Sequence, residues 1–134
     1  MSDIALEATL ASFLERFEGK SVEWGVDDCS AVAHLWLREL GINPDLPHYS
    51  SRDEAHALIE AAGSLDAIWR DNLSRAGVYP RAGDPHLGDV GIVDTRRFGQ
   101  VGVIFGSGGI CCWRTDQGFF WMIPRRAVEV WAAS

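Results

Sequence analysis

Basic residues are scarce in this sequence. Lysine occurs once, at Lys20, and arginine supplies the rest of 12 basic residues against 19 acidic ones, a net charge of −7. Without a basic stripe to neutralise phosphates, the chain is a poor candidate for nucleic-acid binding or for docking on an anionic membrane surface. Long apolar runs are also missing: no stretch approaches the roughly 20 residues of a membrane-spanning helix. Residues 1–7 lack the basic start and apolar run of a secretory signal. Cysteine occurs three times, an odd count with two of the three adjacent. That is no disulfide framework and suits a reducing compartment, so synthesis in a cytoplasm is expected.

What remains is ordinary for a globular protein: 134 residues, 47% hydrophobic and 23% charged. One domain spanning 1–134 is expected, able to bury roughly two-thirds of its unfolded surface without a metal or a disulfide. Six tryptophans are many for this length. Some must pack a core, and others can line a groove or an interface.

The first half of the chain has helical periodicity. Leu6, Leu10, Phe13, Leu14 and Phe17 recur at helical spacing and stop at Gly19. Cys29, Val32, Ala33, Trp36, Leu37 and Leu40 form a second stripe, with Ser30, His34 and Arg38 on the opposite face. Asp27 or Asp28 can cap this helix, and Gly41 suits the position after its end. Ser51 and Glu54 form a capping-box pattern before a third helix that Gly63 stops. Ser64 can cap a fourth, carrying Leu65, Ile68, Trp69 and Leu73 and ending at Gly77. After a Pro- and Gly-rich loop from Tyr79 to His86 the period becomes two. Strands are expected over Val90–Asp94, Gln100–Phe105, Ile110–Thr115 and Phe119–Ile123. Beyond Pro124 two outcomes stay open, a short helix begun by the proline or a last strand over Val128–Trp131. Helices followed by an antiparallel meander predict an α+β fold with the helices packed on one face of the sheet.

Cys29 heads the second helix. The helix N-terminus carries partial positive charge and free N–H groups, which lower a thiol pKa and can hold an oxyanion. The competing reading is a small buried hydrophobe on the apolar stripe. The surrounding Trp24-Gly25-Val26-Asp27-Asp28-Cys29-Ser30 resembles the nucleophile segment of the papain-like, NlpC-type cell-wall cysteine peptidases. Leu87-Gly88-Asp89-Val90 and Gln100-Val101-Gly102-Val103-Ile104-Phe105-Gly106 resemble two further blocks of that family, in the same order. The pattern also looks like that of a short branch of this superfamily found among phage and prophage tail genes.

The resemblance implies a papain-like fold, Cys29 as nucleophile, and Trp24, Asp28 and Ser30 as substrate-binding neighbours. The substrate class it implies is the peptide stem of peptidoglycan. The family's general-base histidine falls on Gln100, and the polar residue that orients it falls near Cys112. Val22 replaces a family tyrosine and Ala31 a family glycine. Glutamine cannot take a proton from a thiol, and such base catalysis contributes about 10²–10⁴-fold. His34 and His56 are expected on solvated helix faces, while His48 and His86 lie in loops that can approach the site. Cys111 and Cys112 alternate across a strand and cannot readily share a metal. No metal or cofactor is expected. The resemblance thus leaves two functions: a peptidoglycan amidase or endopeptidase, or an inactive relative serving as a structural subunit of a phage tail tip, made in a bacterial cytoplasm and carried in the virion.

Overall fold

The computed structural model describes residues 2–134; Met1 lies outside the described residues. The order is α1 (Asp3–Glu15), α2 (Cys29–Glu39), α3 (Arg52–Ala62), α4 (Leu65–Arg75), then β1 (Val90–Thr95), β2 (Gly99–Phe105), β3 (Cys111–Thr115), β4 (Gly118–Met122) and β5 (Ala127–Trp131). A 3₁₀ turn at Ser107–Gly109 joins β2 to β3. The fold is α+β, four helices and a five-stranded antiparallel sheet ordered β4-β3-β2-β1-β5.

Local chemistry starts each helix. Ser2, Asp28, Ser51 and Ser64 each accept a hydrogen bond from the backbone N–H three residues on, satisfying a donor the helix itself cannot. Asp28, not Asp27, caps α2. The Glu54 carboxylate reaches back to the Ser50 N–H, one residue before the cap, and to the Ser50 and Ser51 hydroxyls, a variant of the capping box. Gly63, at φ +97°, ends α3 and lets Ser64 start α4 at once.

α1, α2 and α4 pack on one face of the sheet. Phe13, Trp36, Leu37, Trp69 and Leu73 meet Val90, Ile92, Ile104, Cys112 and Trp131 in one buried cluster. Trp36, Trp69 and Trp131 are fully buried. Burying each contributes roughly 4–6 kcal/mol of transfer free energy before entropy is counted. The Trp36 indole also donates to the Gly88 carbonyl at 2.8 Å, tying α2 to the chain entering β1. The other face buries Val93, Val101, Val103, Phe105, Cys111, Trp113 and Val130 among themselves, with Cys29 the helical residue that packs on them. Cys111 and Cys112 therefore lie on opposite faces, as their adjacency requires.

One open alternative is settled and one expectation needs correcting. No helix begins at Pro124; β5 pairs with β1 instead, across an irregularity at Ile92/Val93. The edge of β1 away from β2 leaves backbone groups unpaired, and the last residues satisfy them. The face of α2 carrying Ser30 and His34 is not solvated. Both are buried, because Trp69 of α4 lies on that side: its indole donates to the Ser30 hydroxyl at 3.2 Å, and His34 meets its ring edge-on at 5.1 Å.

Candidate functional site

The N-terminal end of α2 opens onto a cavity of about 570 Å³, walled by α3, the start of β2, the end of β3 and the loop around Leu46–Tyr49. This is the size of a site for a drug-sized molecule. Cys29, Gln100, Trp24, Asp28 and Ser30 all line it. Most of the remaining wall is apolar, with Leu58, Ile59, Ile68, Phe98 and Trp113 among its side chains.

Asp28 builds the entrance. One of its oxygens accepts from the Ala31 N–H at 3.2 Å and from the Tyr49 hydroxyl at 2.7 Å; the other accepts from the Gly25 N–H at 2.7 Å. A single buried carboxylate thus fixes the helix start, the Trp24-Gly25 turn and the Tyr49 loop. Gly25 must be glycine twice over: its φ is +84°, and a Cβ there would lie 1.8 Å from the Tyr49 carbonyl oxygen. Burial and the Asp28 charge push the Tyr49 hydroxyl well above its usual range, so it remains a donor.

The thiol of Cys29 is half-buried. Its pKa is raised, against the expectation from its place at a helix head. Burial is the largest cause, and the Asp28 carboxylate adds to it; the backbone of Gly102, and the backbone and hydroxyl of Ser30, work in the opposite direction and do not prevail. Position at a helix N-terminus favours a thiolate, but desolvation and an adjacent anion both disfavour one.

Gln100, in the base position, is exposed and faces the same cavity. Cys112 does not reach it. Cys112 pairs with Ile104, and the four strand steps from Ile104 to Gln100 span roughly 13 Å. It is fully buried on the helix-facing side, and burial pushes its thiol up to about 12. Cys112 therefore orients nothing at the site.

The histidines fall out differently from expectation. His56 is exposed but lines the cavity, whereas His48 and His86 are exposed and are not among the lining residues. His34 is buried, and burial lowers its pKa to about 4. Its Nδ1 lies 2.8 Å from the Ser30 carbonyl, while Nε2 has no partner among the described residues. The sequence also gave no sign that Arg52, Arg114 and Asp116 would share the cavity wall. The helical spacing of Arg52 and His56, one turn apart, was the one available hint that they share a face.

A family model described as a domain of unknown function (DUF6950) matches residues 3–133. The chain belongs to the DUF6950 family. No curated protein matches it. In this DUF6950 domain no group of three or more His, Cys, Asp or Glu side chains is placed to hold a metal, and no helix is long and apolar enough to cross a membrane, among the described residues.

Proposed function

We propose that this domain is an NlpC-type, papain-like fold that has kept the nucleophile position and lost the base, and that it acts as a binding or assembly module of a phage or prophage tail tip. The observation that carries this reading is the state of Cys29: a thiol whose pKa burial and Asp28 raise, in a cavity where the base position is a glutamine. The resemblance of the three sequence blocks supplies the superfamily. The helix-borne cysteine packed beside β2 agrees with the papain-like arrangement that this resemblance implies. A cavity with a mostly apolar wall suits retention of an apolar segment of a partner better than hydrolysis of a polar stem peptide.

A second reading keeps the enzyme. His56 lines the same cavity, and an exposed imidazole is the usual side chain for general-base work. On that reading the substrate remains a peptidoglycan stem peptide, attacked by Cys29 with an amine leaving.

One set of measurements separates them. Purified protein is assayed on cell walls beside Cys29→Ser, His56→Ala and Gln100→His, and alkylation of Cys29 is followed against pH. The binding reading expects no cleavage by the wild type. It also expects alkylation that climbs only above about pH 8.5, the ordinary thiol value. Cleavage that both Cys29→Ser and His56→Ala abolish would establish the enzyme instead. Gain of cleavage in Gln100→His would show that the missing base alone silences the site.

A further inference from the structure

β2 is paired along its whole length on one side only. Its register with β1 runs unbroken from Val90↔Ile104 to Thr95↔Gly99. Its register with β3 consists of Ile104↔Cys112 and Phe105↔Cys111 and then stops. Beyond that point β3 continues beside β4 alone, as far as Thr115. The two strands part like a fork, and the cavity lies in it: Gln100 and Val101 line one arm, Trp113, Arg114 and Thr115 the other.

Backbone phase decides what the β2 arm offers. Phe105 bonds toward β1: its N–H donates to the Asp89 carbonyl and its own carbonyl accepts from the Gly88 N–H, both at 2.8 Å. Alternate residues of a strand turn these groups to opposite sides. Ile104, Gly102 and Gln100 therefore turn theirs to the fork. At its apex Cys29 covers Gly102, where a Cβ would lie 3.0 Å from the Cys29 carbonyl oxygen. Gln100 is exposed, and its N–H and C=O face the cavity with no strand opposite. An extended peptide is the ligand that such a free pair takes, as one more strand.

Charge on the cavity wall is unevenly used. Asp28 is engaged by three donors, and Asp116 accepts from the Val22 N–H. Arg114 is engaged by Asp27 and by the Lys20 and Thr115 carbonyls. Arg52 has no hydrogen-bond or ion-pair partner among the described residues, and neither has His56, one turn farther along α3. The nearby Glu54 carboxylate is taken by Ser50 and Ser51. In a chain of net charge −7, an unpaired arginine and an imidazole on one helix face complement a carboxylate.

We infer that the cavity takes an extended, apolar peptide segment carrying one carboxylate. Its main chain exchanges a pair of hydrogen bonds with Gln100, its apolar side chains lie on Leu58, Ile59, Ile68 and Trp113, and its carboxylate meets Arg52 and His56. Such a segment is the partner of the binding reading above, and the assignment rests on that reading.

The test is affinity selection on the full chain from two random pools of acetylated hexapeptides, with retained peptides sequenced by mass spectrometry. One pool ends in amides, so that only Asp and Glu side chains supply a carboxylate; the other ends in free carboxylates. Peptides rich in Leu, Ile, Val and Phe with a single acid are expected, and the pool they come from tells whether side chain or terminus supplies it. The best peptide is expected to bind Arg52→Gln about tenfold or more weakly than wild type. Arg52 is exposed, and circular dichroism confirms the fold of the variant. One N-methylation among the central amides is expected to abolish binding, by removing the N–H that the Gln100 carbonyl accepts. Apolar peptides retained with no preference for an acid overturn the inference and leave the binding reading intact. So does binding indifferent to Arg52→Gln or to every N-methylation. An empty selection overturns it as well, and octanoate bound in place of any peptide would give the cavity to a fatty acid. Selection is repeated on Cys29→Ser: peptides cut by the wild type and retained whole by that variant would overturn the binding reading alone.

Discussion

His34 shows how one side chain's neighbours reverse its reading. By position it belongs to the polar face of α2; by packing it is enclosed by Trp69, with the Ser30 carbonyl as its one hydrogen-bond partner among the described residues. Burial outweighs the favourable Ser30 and Asp28 interactions, Arg38 adds repulsion, and the pKa falls to about 4. The consequence for stability has a definite sign. Above pH 6.5 the imidazole is neutral in both folded and unfolded chains. As pH falls below 6.5 the unfolded chain takes up the proton first, so stability is lost progressively until about pH 4, by about 3 kcal/mol at full extent. Urea unfolding at pH 7 and pH 4 is the measurement. His34→Gln, which keeps a side-chain donor for the Ser30 carbonyl, is expected to lose about 3 kcal/mol less than wild type over that interval. Equal losses would show that other groups govern acid unfolding.

At the scale of elements, the contact that sets the site is α2 against β2. The helix start approaches the strand so closely that a Cβ on Gly102 would lie 2.6 Å from the Trp69 ring and 3.0 Å from the Cys29 carbonyl oxygen. Gly102 has ordinary β backbone, so space rather than conformation demands glycine. Gly102→Ala is expected to cost about 1–3 kcal/mol as an overpacking change. It should also lift α2 from the sheet and speed alkylation of Cys29 by exposing its sulfur. Denaturation midpoint and alkylation rate are read together. A variant as stable as wild type, with an unreactive Cys29, would mean that α2 and β2 do not meet as described. Cys111 and Cys112, with burial pushing their thiols up to about 11 and about 12, serve as unreactive internal controls.

Across the whole molecule, a buried ion pair ties the N-terminal half to the hairpin of β3 and β4. Both the Asp27 and Arg114 side chains are fully buried, 3.6 Å apart. Asp27 also accepts from the Glu23 N–H at 2.7 Å and meets Lys20 at 3.2 Å. Arg114 donates to the Lys20 carbonyl at 2.8 Å and to the Thr115 carbonyl at 2.6 Å, between the rings of Phe17 and Phe119. Removing one member leaves a buried charge poorly compensated. Arg114→Met is expected to cost about 3–5 kcal/mol, and the double change Asp27→Asn with Arg114→Met clearly less than the two single costs added. A double-mutant cycle by chemical denaturation gives the coupling. Strict additivity would show that the two groups are fixed independently by their backbone partners.

Sequence alone determined what depends on neighbours a few residues away. The four helices follow from apolar stripes at helical spacing and from caps such as Ser51 with Glu54, whose hydrogen bonds close within one turn. The strands follow from their period of two, and the place of Cys29 at a helix head follows from Asp28. Tertiary structure decided whatever depends on what packs against these elements. The sign of the Cys29 pKa shift was set by desolvation and not by the helix end. Burial of Ser30 and His34 came from α4. Cys112 was turned away from the cavity by the register of β3 on β2, while His56 and Arg114 were brought to it. The segment after Pro124 became a strand because β1 had an edge to fill. Local hydrogen bonds and periodicity are written in short windows of sequence; burial, register and the electrostatics that follow from them are sums over residues far apart in the chain.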